Sequence, residues 1–257
     1  MSEKIQKILA NAGLASRRQI ENWLREGRIA INGQTAKLGD RITENVNVAV
    51  DGRVVKLFKR QSQKTRVLLY HKPEGEICSR ADPEKRPSVF DHLPLLRNGR
   101  WISIGRLDFN TSGILLMTNN GELAHQLMHP AKQIEREYAV RIKGQVSPDM
   151  LKQLKTGIAL DTKEKEKEKE KELPAHFASI IDAGGEGSNH WYHVIVHEGR
   201  NRVVRKLWES QGVQVSRLIR IRFGTLTLPR GLRRGKWMEL ESDAVSDLIQ
   251  SLKEAQE

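Results

Sequence analysis

Gly105-Arg106-Leu107-Asp108-Phe109-Asn110-Thr111-Ser112-Gly113-Ile114-Leu115-Leu116-Met117-Thr118-Asn119-Asn120-Gly121 is the stretch on which the reading of this chain turns. Two short apolar runs, residues 101–104 and 114–117, have the composition of buried strands. The segment between them is rich in Asp, Asn, Thr, Ser and Gly, the composition of a turn. Asp108 falls where the first strand gives way to that turn. A carboxylate at a strand end is held rigidly yet stays open to a substrate. Arg106, two residues earlier, is expected on the same strand face. The simpler account is an Asx-type turn, in which the Asp108 side chain accepts backbone N–H groups.

Working outward, residues 67–70 read as a strand, and Lys72-Pro73-Glu74-Gly75 as the turn after it. Beyond the central stretch, residues 122–129 read as a short helix with Leu123, Leu127 and Met128 on its apolar face and Pro130 past its end. Residues 137–142 read as a strand in which Tyr138 is a core aromatic with its hydroxyl at an edge. Ser147-Pro148 begins another helix, and Gly157 lies near its end. Residues 163–172 alternate five Lys with five Glu and have no apolar anchor, as expected of an exposed loop or short charged helix. Residues 191–196 alternate as a strand. In residues 198–212, Val203, Val204, Leu207 and Trp208 form one helical face, and Arg202, Arg205 and Lys206 lie around the other side. Residues 214–223 read as a strand to which Arg217, Arg220 and Arg222 add charge, and residues 243–254 as a closing helix.

The N-terminal segment has a different texture. Ile5, Ile8, Leu9 and Ala12 keep helical spacing up to Gly13. Ser16 can cap a second helix, in which Ile20, Trp23 and Leu24 share a face and which Gly27 ends. Each helix also carries basic residues: Lys4 and Lys7, then Arg17, Arg18 and Arg25. Short strands follow, with Asn32-Gly33 and Asp51-Gly52 as hairpin signals and Val46, Val48 and Val50 in alternation. Residues 59–66 are polar and read as a linker.

With 257 residues there is room for one substantial core plus a small extra domain. The formal net charge is +12, and it is concentrated: residues 1–66 hold 14 Lys/Arg against 6 Asp/Glu, and residues 200–236 hold 11 against the single Glu209. Two concentrated basic patches imply a polyanionic partner, most simply nucleic acid. Aromatic residues are 5% of the chain, so base stacking rests on few rings. Cys78 is the only cysteine, which excludes an intrachain disulfide. Neither a signal-peptide core nor a run of transmembrane length is evident, so a reducing, cytoplasmic setting without a membrane partner is expected. Two histidine groupings invite a metal reading, His125 and His129 near Glu122, and His190, His193 and His197. Neither has a supporting ligand motif, and surface or RNA contact is the preferred account of the first.

Gly-Arg-Leu-Asp at 105–108, followed by Thr-Ser-Gly, an apolar strand and Asn-Asn-Gly-Glu-Leu, resembles the catalytic motif of the RNA pseudouridine synthases, in particular the branch that modifies isolated ribosomal RNA uridines. The family often has Asp where this chain has Asn120. The Lys-Pro-x-Gly turn at 72–75, Tyr138 in its strand, and Gly-Arg-Asn-Arg-Val-Val-Arg at 199–205 resemble its other motifs in the same order, with Val203 where the family commonly has Gln. Trp101, Gly-Gly-Glu-Gly at 184–187 and Val-Ser-Arg-Leu-Ile-Arg at 215–220 fit the large-subunit members. Residues 2–60, with Ser-Arg-Arg at 16–18 and Lys-Leu-Gly-Asp at 37–40, resemble the alpha-L RNA-binding module.

The resemblance implies an α+β chain: an alpha-L RNA-binding module at 1–62 and a mixed, mainly antiparallel α/β catalytic domain at 66–250. It implies isomerisation of one uridine in large-subunit ribosomal RNA to pseudouridine. Asp108 would be the ionised catalytic carboxylate, attacking C1′ or removing a sugar proton. Arg205 would be its basic partner, Val204 a packing residue, and Tyr138 would pack on the uracil. Arg106 would stabilise the opened RNA, which must present a flipped or unpaired nucleotide. Lys4, Lys7, Arg17, Arg18, Arg28, Lys37, Arg200, Arg202 and Arg220 would hold RNA, mainly through phosphates. The reaction oxidises nothing and transfers no external group, so no metal or other cofactor is required in principle. A monomer is expected. Two other readings stay open: a non-catalytic RNA-binding or ribosome-assembly protein, and a metal-dependent RNA hydrolase using the histidines.

Overall fold

The computed structural model describes residues 2–43, 46–55, 64–96, 99–160, 174–186 and 189–254. In the N-terminal part, β1 (Glu3–Lys4) leads into α1 (Ile5–Asn11) and α2 (Arg17–Arg25). There follow β2 (Ile29–Ile31), β3 (Gln34–Thr35), β4 (Arg41–Ile42), β5 (Val48–Val50) and β6 (Arg53–Val55). Ser16 caps α2, its hydroxyl accepting the Gln19 N–H at 3.2 Å. Asn32-Gly33 and Asp51-Gly52 have positive φ at both residues, the geometry of two-residue hairpins. They fold the antiparallel sheet β3-β2-β5-β6, while β1 pairs β4. Ile5, Leu9, Ile20, Leu24, Ile29 and Val48 close the small core between the helices and this sheet.

The second part is built from β7 (Val67–Lys72), β8 (Ile102–Ile104), β9 (Ser112–Thr118), α3 (Gly121–Met128), β10 (Arg136–Lys143), α4 (Pro148–Thr156), β11 (Ser179–Glu186), β12 (Asn189–Val196), α5 (Val203–Glu209), β13 (Gln214–Phe223), β14 (Leu226–Thr227), β15 (Trp237–Glu239) and α6 (Ser242–Glu254). One sheet runs β11-β12-β10-β13-β9-β7-β15, with β8 added on β9 and β14 on β13. β13 and β9 are parallel; the other pairs are antiparallel. Residues 114–117 are apolar without alternation because β9 is buried on both faces. Leu115 and Met117 enter one core with Trp208, Leu207 and Phe177; Ile114 and Leu116 enter the other with Leu123, Leu127 and Leu248. Asn120 caps α3, its side-chain carbonyl oxygen accepting the N–H groups of Glu122 and Leu123. Asn and Asp serve equally at that position, which accounts for the departure from the family pattern.

The parallel contact between β13 and β9 is unusually close. Gly113 has φ +114°, and a Cβ there would stand 2.2 Å from the Arg220 carbonyl oxygen. A similar approach joins the two parts of the chain. A Cβ on Gly13, after α1, would lie 2.6 Å from the Gly99 carbonyl oxygen. Nearby, Lys7 Nζ stands 2.6 Å from Glu3 and 3.9 Å from Glu122 of α3. Lys7 therefore faces acids of its own chain.

The linker expected at 59–66 is described only from residue 64. Its last residue is tied down: the Arg66 guanidinium donates to both carboxylate oxygens of Glu239 at 2.6 Å and lies over the Trp101 ring. The alternating Lys–Glu run lies outside the described residues. Among the described residues, no helix is long and apolar enough to cross a membrane.

Candidate active site

A cleft of about 520 Å³ opens where β13, β10 and the turn before β9 meet, with the start of α5 along its side. Asp108, Tyr138 and Arg205, distant in sequence, all line it, as do Arg106, Arg200, Arg202 and Arg220. The remaining lining includes Cys78, Val204, Leu218 and Phe223.

Asp108 lies in the turn between β8 and β9. Its main-chain carbonyl closes that turn by accepting the Thr111 N–H at 3.0 Å. Among the described hydrogen bonds, its carboxylate accepts none from the turn, so the Asx reading does not describe it. The turn is held from beneath by a residue that the sequence placed in a turn motif without a role at the site. Lys72, fully buried at the end of β7, donates from Nζ to the carbonyl oxygens of Asp108 at 3.1 Å, Thr111 at 2.9 Å and Pro73 at 2.9 Å. Burial pulls this ammonium below its ordinary pKa, against the opposing fields of Cys78, Glu76, Asp108 and Glu74. A charged residue closing an otherwise apolar strand, ahead of Pro-Glu-Gly, was the available signal.

Arg205 is 8% exposed on α5. It donates to the carbonyl oxygens of Asn110 at 2.7 Å and Val215 at 3.0 Å, and its Nε is buried without a partner. No ion pair within 4 Å joins it to Asp108 among the described residues. It holds the backbone two residues beyond the carboxylate and tethers that turn to β13. Burial lowers the pKa of its guanidinium, Arg202 adds to the effect, and Asp108 opposes it. Tyr138 on β10 is buried and faces the cleft.

The RNA-contact candidates divide. Lys4, Arg17, Arg18 and Lys37 are exposed on the N-terminal module. Arg28 is exposed too, but pairs with Asp51 at 2.7 Å and Glu26 at 3.2 Å and lies over Trp23. Arg106 is exposed at the cleft mouth. Arg200 binds Glu198, and Arg202 reaches Glu209 at 3.4 Å. Arg220 departs from expectation: at 2% exposed it belongs to the cleft floor, because alternation along β13 turns it inward with Leu218. Arg222, two residues on, would share that face under strict alternation, but the register with β10 slips by one residue between Arg220 and Arg222 and turns it to the outer face, where it stands 2.8 Å from both Glu135 and Glu137. Arg136, another residue that sequence reading missed, joins Arg220 in the cleft. Burial lowers the pKa of its guanidinium, and Arg220 lowers it further, while Tyr138 acts the other way.

The histidines do not assemble. His190 faces Asp182 at 2.6 Å, His193 faces Glu137 at 3.4 Å, and His197 faces Glu135 at 3.7 Å. His125 and His129 stack edge-on. Among the described residues, no three His, Cys, Asp or Glu side chains gather as a metal site.

Comparison with known proteins agrees with this architecture. The RNA pseudouridylate synthase family model matches residues 66–210, and the S4 domain model matches residues 3–48. The ribosomal large subunit pseudouridine synthase B of Yersinia pestis is 52% identical over 250 residues, covering 96% of this chain and 76% of the relative. Its namesake from Escherichia coli K12 is 53% identical over 243 residues, covering 94% and 80%. A crystal structure of a pseudouridylate synthase superposes with a TM-score of 0.65 at 23% identity, over 95% of this chain and 99% of that one, which shows the shared fold. With three separated motifs meeting in one cleft of that fold, the chain belongs to the RNA pseudouridylate synthase family and carries an S4 domain ahead of its catalytic domain.

Proposed function

We propose that this enzyme isomerises a specific uridine of large-subunit ribosomal RNA to pseudouridine, with Asp108 as the catalytic carboxylate. The observation that carries the assignment is the meeting of Asp108, Tyr138 and Arg205, from three separate elements, in one cleft. The ribosomal substrate is supported by relatives more than 50% identical that bear the large-subunit name.

The reaction breaks the C1′–N1 bond, turns the base and joins C1′ to C5. Asp108 acts first, on C1′ or on a proton of the sugar. Its position is fixed through its backbone, by Lys72 on its own carbonyl and Arg205 on that of Asn110. Tyr138 packs against the extruded uracil, while Arg106, at the mouth, steadies the RNA the nucleotide has left. The S4 module holds folded RNA through the exposed cations of its helices, chiefly by phosphate contacts. In this reading the module occupies 1–62 and the catalytic domain 66–250, and the protein works as a monomer in the cytoplasm.

The test is incubation of the protein with unmodified large-subunit ribosomal RNA, followed by chemical mapping of pseudouridine. One new pseudouridine with the wild-type protein, absent with Asp108→Ala, is expected. Tight RNA binding without modification, on free RNA and on assembling particles alike, would sink the assignment.

A further inference from the structure

On the cleft side of β10 and β13, four side chains form a two-by-two block. The register sets Arg136 opposite Phe223 and Tyr138 opposite Arg220. The guanidinium carbons of Arg136 and Arg220 stand 5.4 Å and 5.3 Å from the centroid of the same Phe223 ring. Arg220 Nε donates to the Ile114 carbonyl at 2.8 Å, while its Nη2 is buried without a partner. Arg136 donates to the carbonyl oxygens of Ile134 and His197, both at 2.9 Å. Among the described residues, neither forms an ion pair with a carboxylate. Arg220 is buried and Arg136 half-buried, and two like charges sharing one ring with no counter-ion among the described residues are costly to maintain. They make an anion-ready floor beside Tyr138.

We propose that Arg220, backed by Arg136, is a catalytic residue that takes up the negative charge of the uracil when it is detached from the ribose. The inference rests on the assignment of Asp108 as the group that acts on the sugar. When the C1′–N1 bond breaks, its electron pair leaves with the base, and the charge spreads over N1, O2 and O4. This holds whether Asp108 attacks C1′ or removes a sugar proton. The base then turns and C5 bonds to C1′ as the Asp108–C1′ bond breaks or, in the other route, as Asp108 returns the sugar proton; the C5 proton is lost and N1 gains one, so the atoms balance as an isomerisation. A guanidinium beside the ring holds the anion through the turn, because its planar fork can follow either carbonyl oxygen. The floor favours a base over a phosphate. Leu218, Val204, Phe223 and Cys78 surround it with surface suited to a flat ring. A phosphodiester has chain on both sides, whereas the base is the end group that reaches deepest.

The experiment is single-turnover kinetics with the full-length protein at saturating RNA, on a short RNA spanning the uridine that the wild-type protein modifies. A second RNA carries 5-fluorouridine there; fluorine stabilises the detached base as an anion without help from the protein. The readout on both is the rate at which the intact nucleoside disappears. Arg220→Gln is expected to slow the uridine RNA by about 10²-fold, the size seen when one preorganised donor to a developing charge is removed. Its Kd should stay near that of wild type, and the loss should be distinctly smaller on the 5-fluorouridine RNA. Arg220→Lys, which keeps charge without the fork, should fall between. If thermal melting shows that Arg220→Gln does not fold, Arg220→Lys and Arg136→Gln are put through the same two-substrate comparison. Equal losses on both RNAs, or a change confined to Kd, would overturn the proposal, the latter marking a phosphate contact. Failure of the wild-type protein to modify any uridine would instead overturn the underlying assignment.

Discussion

Strands β10 and β13 carry arginines on both faces, and the two faces treat them in opposite ways. On the outer face, Arg222 sits between Glu135 and Glu137, each 2.8 Å away, with His193 beside the second glutamate. On the cleft face, Arg136 and Arg220 share a phenylalanine ring and, among the described residues, no carboxylate. The same pair of strands thus cancels positive charge on one side and leaves it standing on the other. Partly exposed ion pairs of the first kind contribute modestly to stability. Unpaired buried charge of the second kind detracts from it, and is understandable where a substrate brings the missing sign.

This contrast can be broken at several points. The largest effect is expected at Asp108. Asp108→Ala should reduce turnover by on the order of 10⁴-fold or more while Tm and RNA affinity hold; single-turnover kinetics beside a thermal melt would check it. Next comes Gly113→Ala, which places a Cβ against the Arg220 backbone and strains a positive φ. A loss of about 3 kcal/mol is expected, through clash and strain together. In a domain of this size that is a fall of roughly 6–12 °C in Tm, read by calorimetry. A Gly113→Ala protein that melted with wild type would show that β9 and β13 can separate without disturbing either face. The double variant Arg17→Ala/Arg18→Ala should weaken RNA binding evenly across sequences. It should flatten the salt dependence of log Kd by about one unit for each phosphate that the protein no longer neutralises; titrations at several salt concentrations would measure this. The smallest effect is expected at Arg222→Gln, about 0.2–1 kcal/mol for a partly exposed network. If that variant instead lost activity with an unchanged Tm, the two faces would not be functionally distinct.

The elements were largely legible in the sequence because local signals and global packing agree. The Ser16 cap, the two Xaa-Gly hairpins, and the strand at 214–223 stand where their patterns place them. The closing helix falls within a residue of its expected start. Asp108, Tyr138 and Arg205 were brought together by resemblance of motifs, since no periodicity ties residues 30 and more positions apart. What sequence reading missed was depth. Arg217, Arg220 and Arg222 look alike in a basic run, yet the strand turns one to the cleft and another to two glutamates. The role of Lys72, named only as part of a turn, and Arg136 altogether were missed for the same reason. Their roles lie in which carbonyl oxygens or rings they reach across the sheet, and these partners are set by register between distant strands.

The meeting of Gly13 with Gly99 bears on how a uridine is chosen. Backbone lies against backbone there, with no side chain between to swing or compress. The contact ties the end of α1 to the segment that leads into β8 and on to the Asp108 turn. Under the proposed function that contact acts as a ruler, and moving the target uridine one nucleotide along its stem is expected to lower its modification.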